Sequence, residues 1–274
     1  MKKGWKILLI CCGICAGIGV VLSVTGTALG GIRDLQEQGR DGLLSLERDH
    51  EISQMRSGVE DLREIRELDV DLSYVELIIE PSDTDEVAIS DSGLDPRLIE
   101  NLSVSREDDT LEIYVEEENS AIWKAVGKNH AGKLILEIPK TMEGIFISLG
   151  TGALQMRDIK TEDLDLCVGT GTAEVRGMEA KEVSASVGTG SLFLKGSVRG
   201  DLDIECGMGT IEFRDDGIMT DYNYVIDCGM GSVRIGDDTF AQMAGTKDID
   251  HHAEKEMDIE CGMGTVDILF EKGE

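Results

Sequence analysis

An all-β fold is predicted, a β-solenoid-like stack of two-strand repeats preceded by one N-terminal transmembrane helix. Three observations predict it. A Gly-x-Gly pair recurs six times with the same flanks. Apolar residues alternate at period two on both sides of each pair, the mark of strands with one buried face. Residues 7–32 carry no charge and follow Lys2, Lys3 and Lys6.

A bilayer core takes about 20 apolar residues as a helix, and the charge-free run supplies them. The sequence therefore predicts a short cytoplasmic N-terminus at 1–6 and a single-pass transmembrane helix at 7–30. The three lysines hold the N-terminus inside, so the C-terminal part is expected outside the cell membrane. A cleaved signal peptide, with Gly26-Thr27-Ala28 at the cleavage site, is the alternative. Residues 31–65 are polar and interrupted by Arg40-Asp-Gly and Arg56-Ser-Gly. They read as a partly helical linker. The β-repeat ectodomain follows at 66–274.

Charge narrows the function classes. The 274 residues hold 26 basic and 55 acidic side chains, a net charge of −29, and every acidic residue lies beyond the membrane run. This excludes nucleic acid as a partner, because phosphate contacts need clustered Lys and Arg. It also excludes peripheral docking on anionic lipid. Apolar content of 41% is that of a folded chain.

Upstream of the repeats, strands are predicted at 68–72, 75–80, 87–90, 102–105, 111–115 and 134–138. Turns fall at Pro81-Ser-Asp, Gly93-Leu-Asp-Pro96, Glu107-Asp-Asp and His130-Ala-Gly. This half lacks the Gly-x-Gly pair and is expected to cap or begin the same sheet system.

The repeats themselves run LGTGALQM from Leu149, VGTGTAEV from Val168, VGTGSLFL from Val187, CGMGTIEF from Cys206, CGMGSVRI from Cys228 and CGMGTVDI from Cys261. The leading corner glycines are Gly150, Gly169, Gly188, Gly207, Gly229 and Gly262, at steps of 19, 19, 19, 22 and 33. Equal steps followed by longer ones read as one unit with later loop insertions. A unit this short cannot bury its own apolar face, whereas stacked units form one continuous core. Glycine at the corner is expected to supply backbone freedom. Six rungs are predicted, with an antiparallel meander as the alternative.

The segments ELDVDLSYVELIIEPSDTDEV (67–87) and KLILEIPK (133–140), followed by the Gly-x-Gly repeats, resemble the bacterial "putative adhesin" β-strand-repeat family, also described as having the toast-rack fold. The resemblance implies an extracytoplasmic β-repeat domain tied to the bacterial envelope. It carries over no catalytic residue.

Chemistry is sparse. Gly-x-Ser-x-Gly, His-Glu-x-x-His and phosphate-loop patterns are absent. His251 and His252, among Asp248, Asp250 and Glu254, match no zinc spacing and read as a polar loop. Cys206, Cys228 and Cys261 share one inward position; core packing is the reading, with a disulfide or a soft-metal site as alternatives. Cys167 falls on the outward parity and is the better candidate for a reactive thiol. Outward acidic columns, Asp165, Asp203 and Asp258 and then Glu205, Asp227 and Glu260, read as a solvated face, with Ca²⁺ as the alternative. Five residues after each corner glycine stand Gln155, Glu174, Phe193, Glu212, Arg234 and Asp267. Phe193 is the aromatic among them and marks the candidate binding face. No catalytic residue, metal or cofactor is expected. The chain reads as a membrane-anchored envelope module for binding, scaffolding or stress sensing, with an envelope protein or wall polymer as partner. A surface adhesin and a carbohydrate-active β-helix enzyme are the alternatives; the oligomeric state stays open.

Overall fold

Strands form wherever the period-two alternation runs, and the alternation continues upstream of the first Gly-x-Gly pair. The computed structural model describes residues 50–51, 62–115, 132–241 and 246–271. The predicted N-terminus (1–6), transmembrane helix (7–30) and most of the 31–65 linker lie outside the described residues. Among the described residues no helix is long and apolar enough to cross a membrane.

In chain order the elements begin with β1 (His50–Glu51), β2 (Glu67–Leu72), β3 (Val75–Ser82), β4 (Ala88–Ser92), the short helix α1 (Pro96–Asn101), β5 (Leu102–Glu107), β6 (Thr110–Val115) and β7 (Lys133–Pro139). The repeats supply β8 (Thr141–Leu149), β9 (Gly152–Arg157), β10 (Lys160–Val168), β11 (Thr172–Val187), β12 (Ser191–Val198), β13 (Leu202–Cys206) and β14 (Thr210–Asp215). After a 3₁₀ turn at Met219–Asp221 come β15 (Tyr222–Cys228), β16 (Ser232–Ile235), β17 (Asp238–Ala241), β18 (Lys247–Ile249), β19 (Lys255–Cys261) and β20 (Thr265–Phe270). The six strands predicted upstream are all present, as β2 to β7.

Two ladders of parallel strands face each other across the core. Sheet I holds the strands before each corner, in the order β6, β2, β8, β10, β11, β13, β19, β15. Sheet II holds those after it, in the order β7, β3, β9, β11, β12, β14, β20, β16. Strand β11 runs through a bend at Gly177 (φ +67°), pairing in sheet II with its first half and in sheet I with its second. Short antiparallel strands close the ladders: β5 and β18 on sheet I, and β17 and β4, with β1 outside β4, on sheet II. Such edges are poor templates for further pairing.

The predicted stack of two-strand rungs is therefore present, and the upstream half begins the same sheet system as expected: β6 with β7, and β2 with β3, form two rungs beyond the Gly-x-Gly six. The spatial order, however, departs from chain order at both ends. The rung β2/β3 lies inside β6/β7, and the last rung in the chain, β19/β20, lies between β13/β14 and β15/β16. The last two Gly-x-Gly units have exchanged places, so the corners read Gly150, Gly169, Gly188, Gly207, Gly262, Gly229 along the stack.

Contacts across the crossover hold this exchange. The amide of Glu256 donates to Asp201 Oδ1 at 2.8 Å, and Lys255 Nζ donates to the Val198 carbonyl at 3.1 Å, which ties the start of β19 to the approach to β13. The same Lys255 ammonium lies 4.0 Å from the centre of the Tyr222 ring. Tyr222 Oη donates to the buried Asp215 carboxylate at 2.6 Å. The core fills in columns: Leu72, Leu149, Val168, Val187, Cys206, Cys261 and Cys228 occupy one position on successive rungs, each at most 2% exposed.

Candidate functional site

With the inward positions consumed by the core, chemistry rests on the outer faces of the two sheets. On sheet I the register places Glu112, Asp69, Phe146, Asp165, Ser184, Asp203, Asp258 and Val225 in one transverse row. A second row includes Cys167, Ser186, Glu205, Glu260 and Asp227. The predicted acidic columns thus come together, with Glu260 between Glu205 and Asp227. Partial burial, followed by the neighbouring like charges, pushes the carboxyls of Asp69, Asp165, Asp203 and Glu260 up from their ordinary values. Asp258 also rises, through burial first. A cleft of about 210 Å³ opens over Phe146 and Ser184, with Asp163, Asp165, Asp201 and Asp203 around it.

Sheet II carries the predicted binding column. Gln155, Glu174, Phe193, Glu212, Asp267 and Arg234 lie in one row, the last two in exchanged order. Phe193 points outward but is only half-exposed. The Arg176 guanidinium sits 4.5 Å from its ring centre and that of Arg214 5.5 Å, so two cations from neighbouring rungs flank one ring face system.

Two residues further along is a row the sequence reading passed over. Arg157, Arg176, Lys195 and Arg214 are register partners on four successive rungs. They are spaced by 19 residues, the repeat period itself, so the signal was available seven positions after each corner glycine. Each cation meets a carboxylate: Arg157 with Glu80 at 2.5 Å, Arg176 with Glu174, Lys195 with Glu271, and Arg214 with Glu212 at 2.7 Å. Side chains in this row are about half exposed, so four stacked charges of one sign are compensated locally and remain reachable from solvent.

The remaining candidates separate from this face. Cys206, Cys261 and Cys228 are buried free thiols on adjacent rungs. Burial pushes Cys206 up, and burial with its neighbouring thiols pushes Cys261 up to about 12, so Cys206 and Cys261 stay protonated at neutral pH. Cys167 is partly exposed on sheet I. His251 is fixed by Nδ1 at 2.9 Å from the Tyr222 carbonyl and an edge contact to Tyr224, whereas His252 is exposed beside Asp250. Among the described residues no three His, Cys, Asp or Glu side chains are grouped to hold a metal ion.

Residues 65–267 match the family described as "Toastrack DUF4097". Two solved structures are similar to the chain. A "putative cell adhesion protein" from Clostridium sporogenes ATCC 15579 is 15% identical, covers 77% of this chain and 94% of its own, and has a TM-score of 0.41. A "putative adhesin" from Bacteroides fragilis NCTC 9343 is 12% identical, covers 76% and 94%, and has a TM-score of 0.37. No curated protein matches the chain.

Proposed function

The chain belongs to the Toastrack DUF4097 family, and from that premise we propose that it is a membrane-anchored envelope module that acts by binding, with sheet II as its recognition face. The charge-free run at 7–30 and the three preceding lysines support an anchor with the β-stack outside the membrane. The observation that carries the choice of face is the Arg157–Arg176–Lys195–Arg214 row on a chain of net charge −29.

Rungs repeat at about 4.8 Å, so the row offers a short line of evenly spaced cations beside an aromatic ring. The intramolecular pairs do not close it. An exposed ion pair contributes about 0–1 kcal/mol, and a partner carboxylate or phosphate can take the place of Glu174 or Glu212 at small cost. The partner this chemistry fits is an envelope protein or wall polymer that presents anionic groups. Elsewhere the acidic surface repels such a partner, which confines contact to this strip.

The test is a photo-crosslinker placed at Phe193 in the full-length chain in intact cells. Capture of an envelope partner is expected there and not at Ser186, which faces outward on sheet I. Arg176→Glu combined with Arg214→Glu is expected to abolish capture without unfolding the domain. Equal capture at both positions, or none at either, overturns the choice of face.

A further inference from the structure

Exposed methionine is uncommon, because the thioether side chain usually fills core gaps. Here Met208, Met263 and Met230 are 42%, 53% and 72% exposed. Each sits at the tip of a Gly-Met-Gly corner, on three successive rungs of the stack. Backbone bonds fix the column: the amide of Met208 donates to Gly188 O, that of Met263 to Gly207 O and that of Met230 to Gly262 O, each at 2.8 Å. The exchange of the last two rungs puts Met263 in the middle. Lower in the same column the tips are Thr170 and Thr189, whose hydroxyls hydrogen-bond each other at 3.3 Å. Methionine replaces threonine only where the rung reads Cys-Gly-Met-Gly.

We propose that Met208, Met263 and Met230 form a surface site for one soft monovalent metal ion, Cu(I) or its analogue Ag(I), held by three thioether sulfurs. Thioethers are soft, neutral ligands that select Cu(I) over Ca²⁺ or Mg²⁺, which require oxygen. Rung spacing of about 4.8 Å brings neighbouring side chains close to the separation of two sulfurs on one ion, and three rotatable bonds per methionine let the outer two lean toward the middle one. The acidic row Glu205–Glu260–Asp227 lies on the same three rungs, three residues before each methionine, and draws cations to this corner. The buried thiols are not part of the site. They point into the core on the other side of the backbone, with Cys206 Sγ toward Thr265 O and Cys261 Sγ toward Ser232 O. The site does not depend on the sheet II reading, since it occupies the corner edge rather than either face.

The full-length chain in detergent, labelled with [methyl-¹³C]methionine, is titrated with Ag(I) and followed by NMR. The signals of Met208, Met263 and Met230 are assigned from single Met→Leu variants, which also report folding by an unchanged thermal midpoint. The three signals are expected to move together and saturate at one Ag(I), and Met263→Leu is expected to weaken that event at least tenfold. Binding to any thiol appears as a separate event that leaves the three methyl signals in place. Three unmoved signals, three independent saturations, or an unchanged Ag(I) affinity in Met263→Leu would overturn the site.

Discussion

At the corners, each residue is chosen by the rung beneath it. A Cβ on Gly169 would stand 2.6 Å from the Gly150 carbonyl oxygen, and one on Gly188 2.8 Å from that of Gly169. Gly169, Gly188 and Gly207 are needed for this close approach to the carbonyl below; none of the leading corner glycines has a positive φ, and of the first Gly-x-Gly pair it is the second glycine, Gly152, that does. Since the clashing atom is backbone, it cannot swing away. Gly169→Ala is expected to cost about 1–3 kcal/mol, and Thr170→Ala, at the exposed tip beside it, less than about 0.5 kcal/mol. Denaturant midpoints of the two variants check this, and equal midpoints contradict it. Facing is tested one residue before a corner. Val187 is 1% exposed between Val168 and Cys206. Val187→Asp buries an unpaired charge at about 3–5 kcal/mol, whereas Ser186→Asp, on the outer face, is expected to leave thermal stability nearly unchanged.

Among elements, the exchanged rung has a consequence for local stability. Chain termini normally fray because little holds them. Here β19 and β20 have a rung on each side, β13/β14 below and β15/β16 above. Their amides are bonded into the ladder in both directions. Amide hydrogen exchange should therefore find Ile259 and Val266 as protected as Ile204 and Ile211, and better protected than residues of the edge strand β18. Fast exchange throughout β19 and β20 would contradict the interleaved order. Tyr222 and Asp215 sit where this order is decided. Burial holds the Asp215 carboxyl above its ordinary value against the opposing effect of the Tyr222 hydroxyl, and the pair joins the end of β14 to the start of β15.

For the whole domain, the acidic surface sets a pH dependence. Asp69, Asp165, Asp203, Asp258 and Glu260 all bind their protons more tightly folded than unfolded. A raised folded pKa means stability is greatest below the unfolded value and falls as pH rises through the folded one. The unfolded values are 3.8 for Asp and 4.5 for Glu. Thermal midpoints should therefore rise as pH falls from neutrality toward the ordinary carboxylate range, in the direction that also relieves the repulsion of a net charge of −29. A flat or falling midpoint over that range would show that the outward carboxylates are not crowded as described.

Strands, inward faces and corner positions were legible in the residues because each depends on a few neighbours: period-two alternation sets which side is buried, and the 19-residue step sets where the chain turns. The same step marks the row of Arg157, Arg176, Lys195 and Arg214, which a search centred on the lone aromatic at Phe193 missed. Rung order belongs to the tertiary structure. The units beginning at Cys206, Cys228 and Cys261 carry the same Cys-Gly-Met-Gly corner and the same alternation, so any one stacks on any other with equivalent backbone bonds and core contacts. Local pattern is degenerate there. The choice falls to long-range contacts, Glu256 with Asp201, Lys255 with Val198 and Tyr222, and Tyr222 with Asp215, which exist only once distant segments have met.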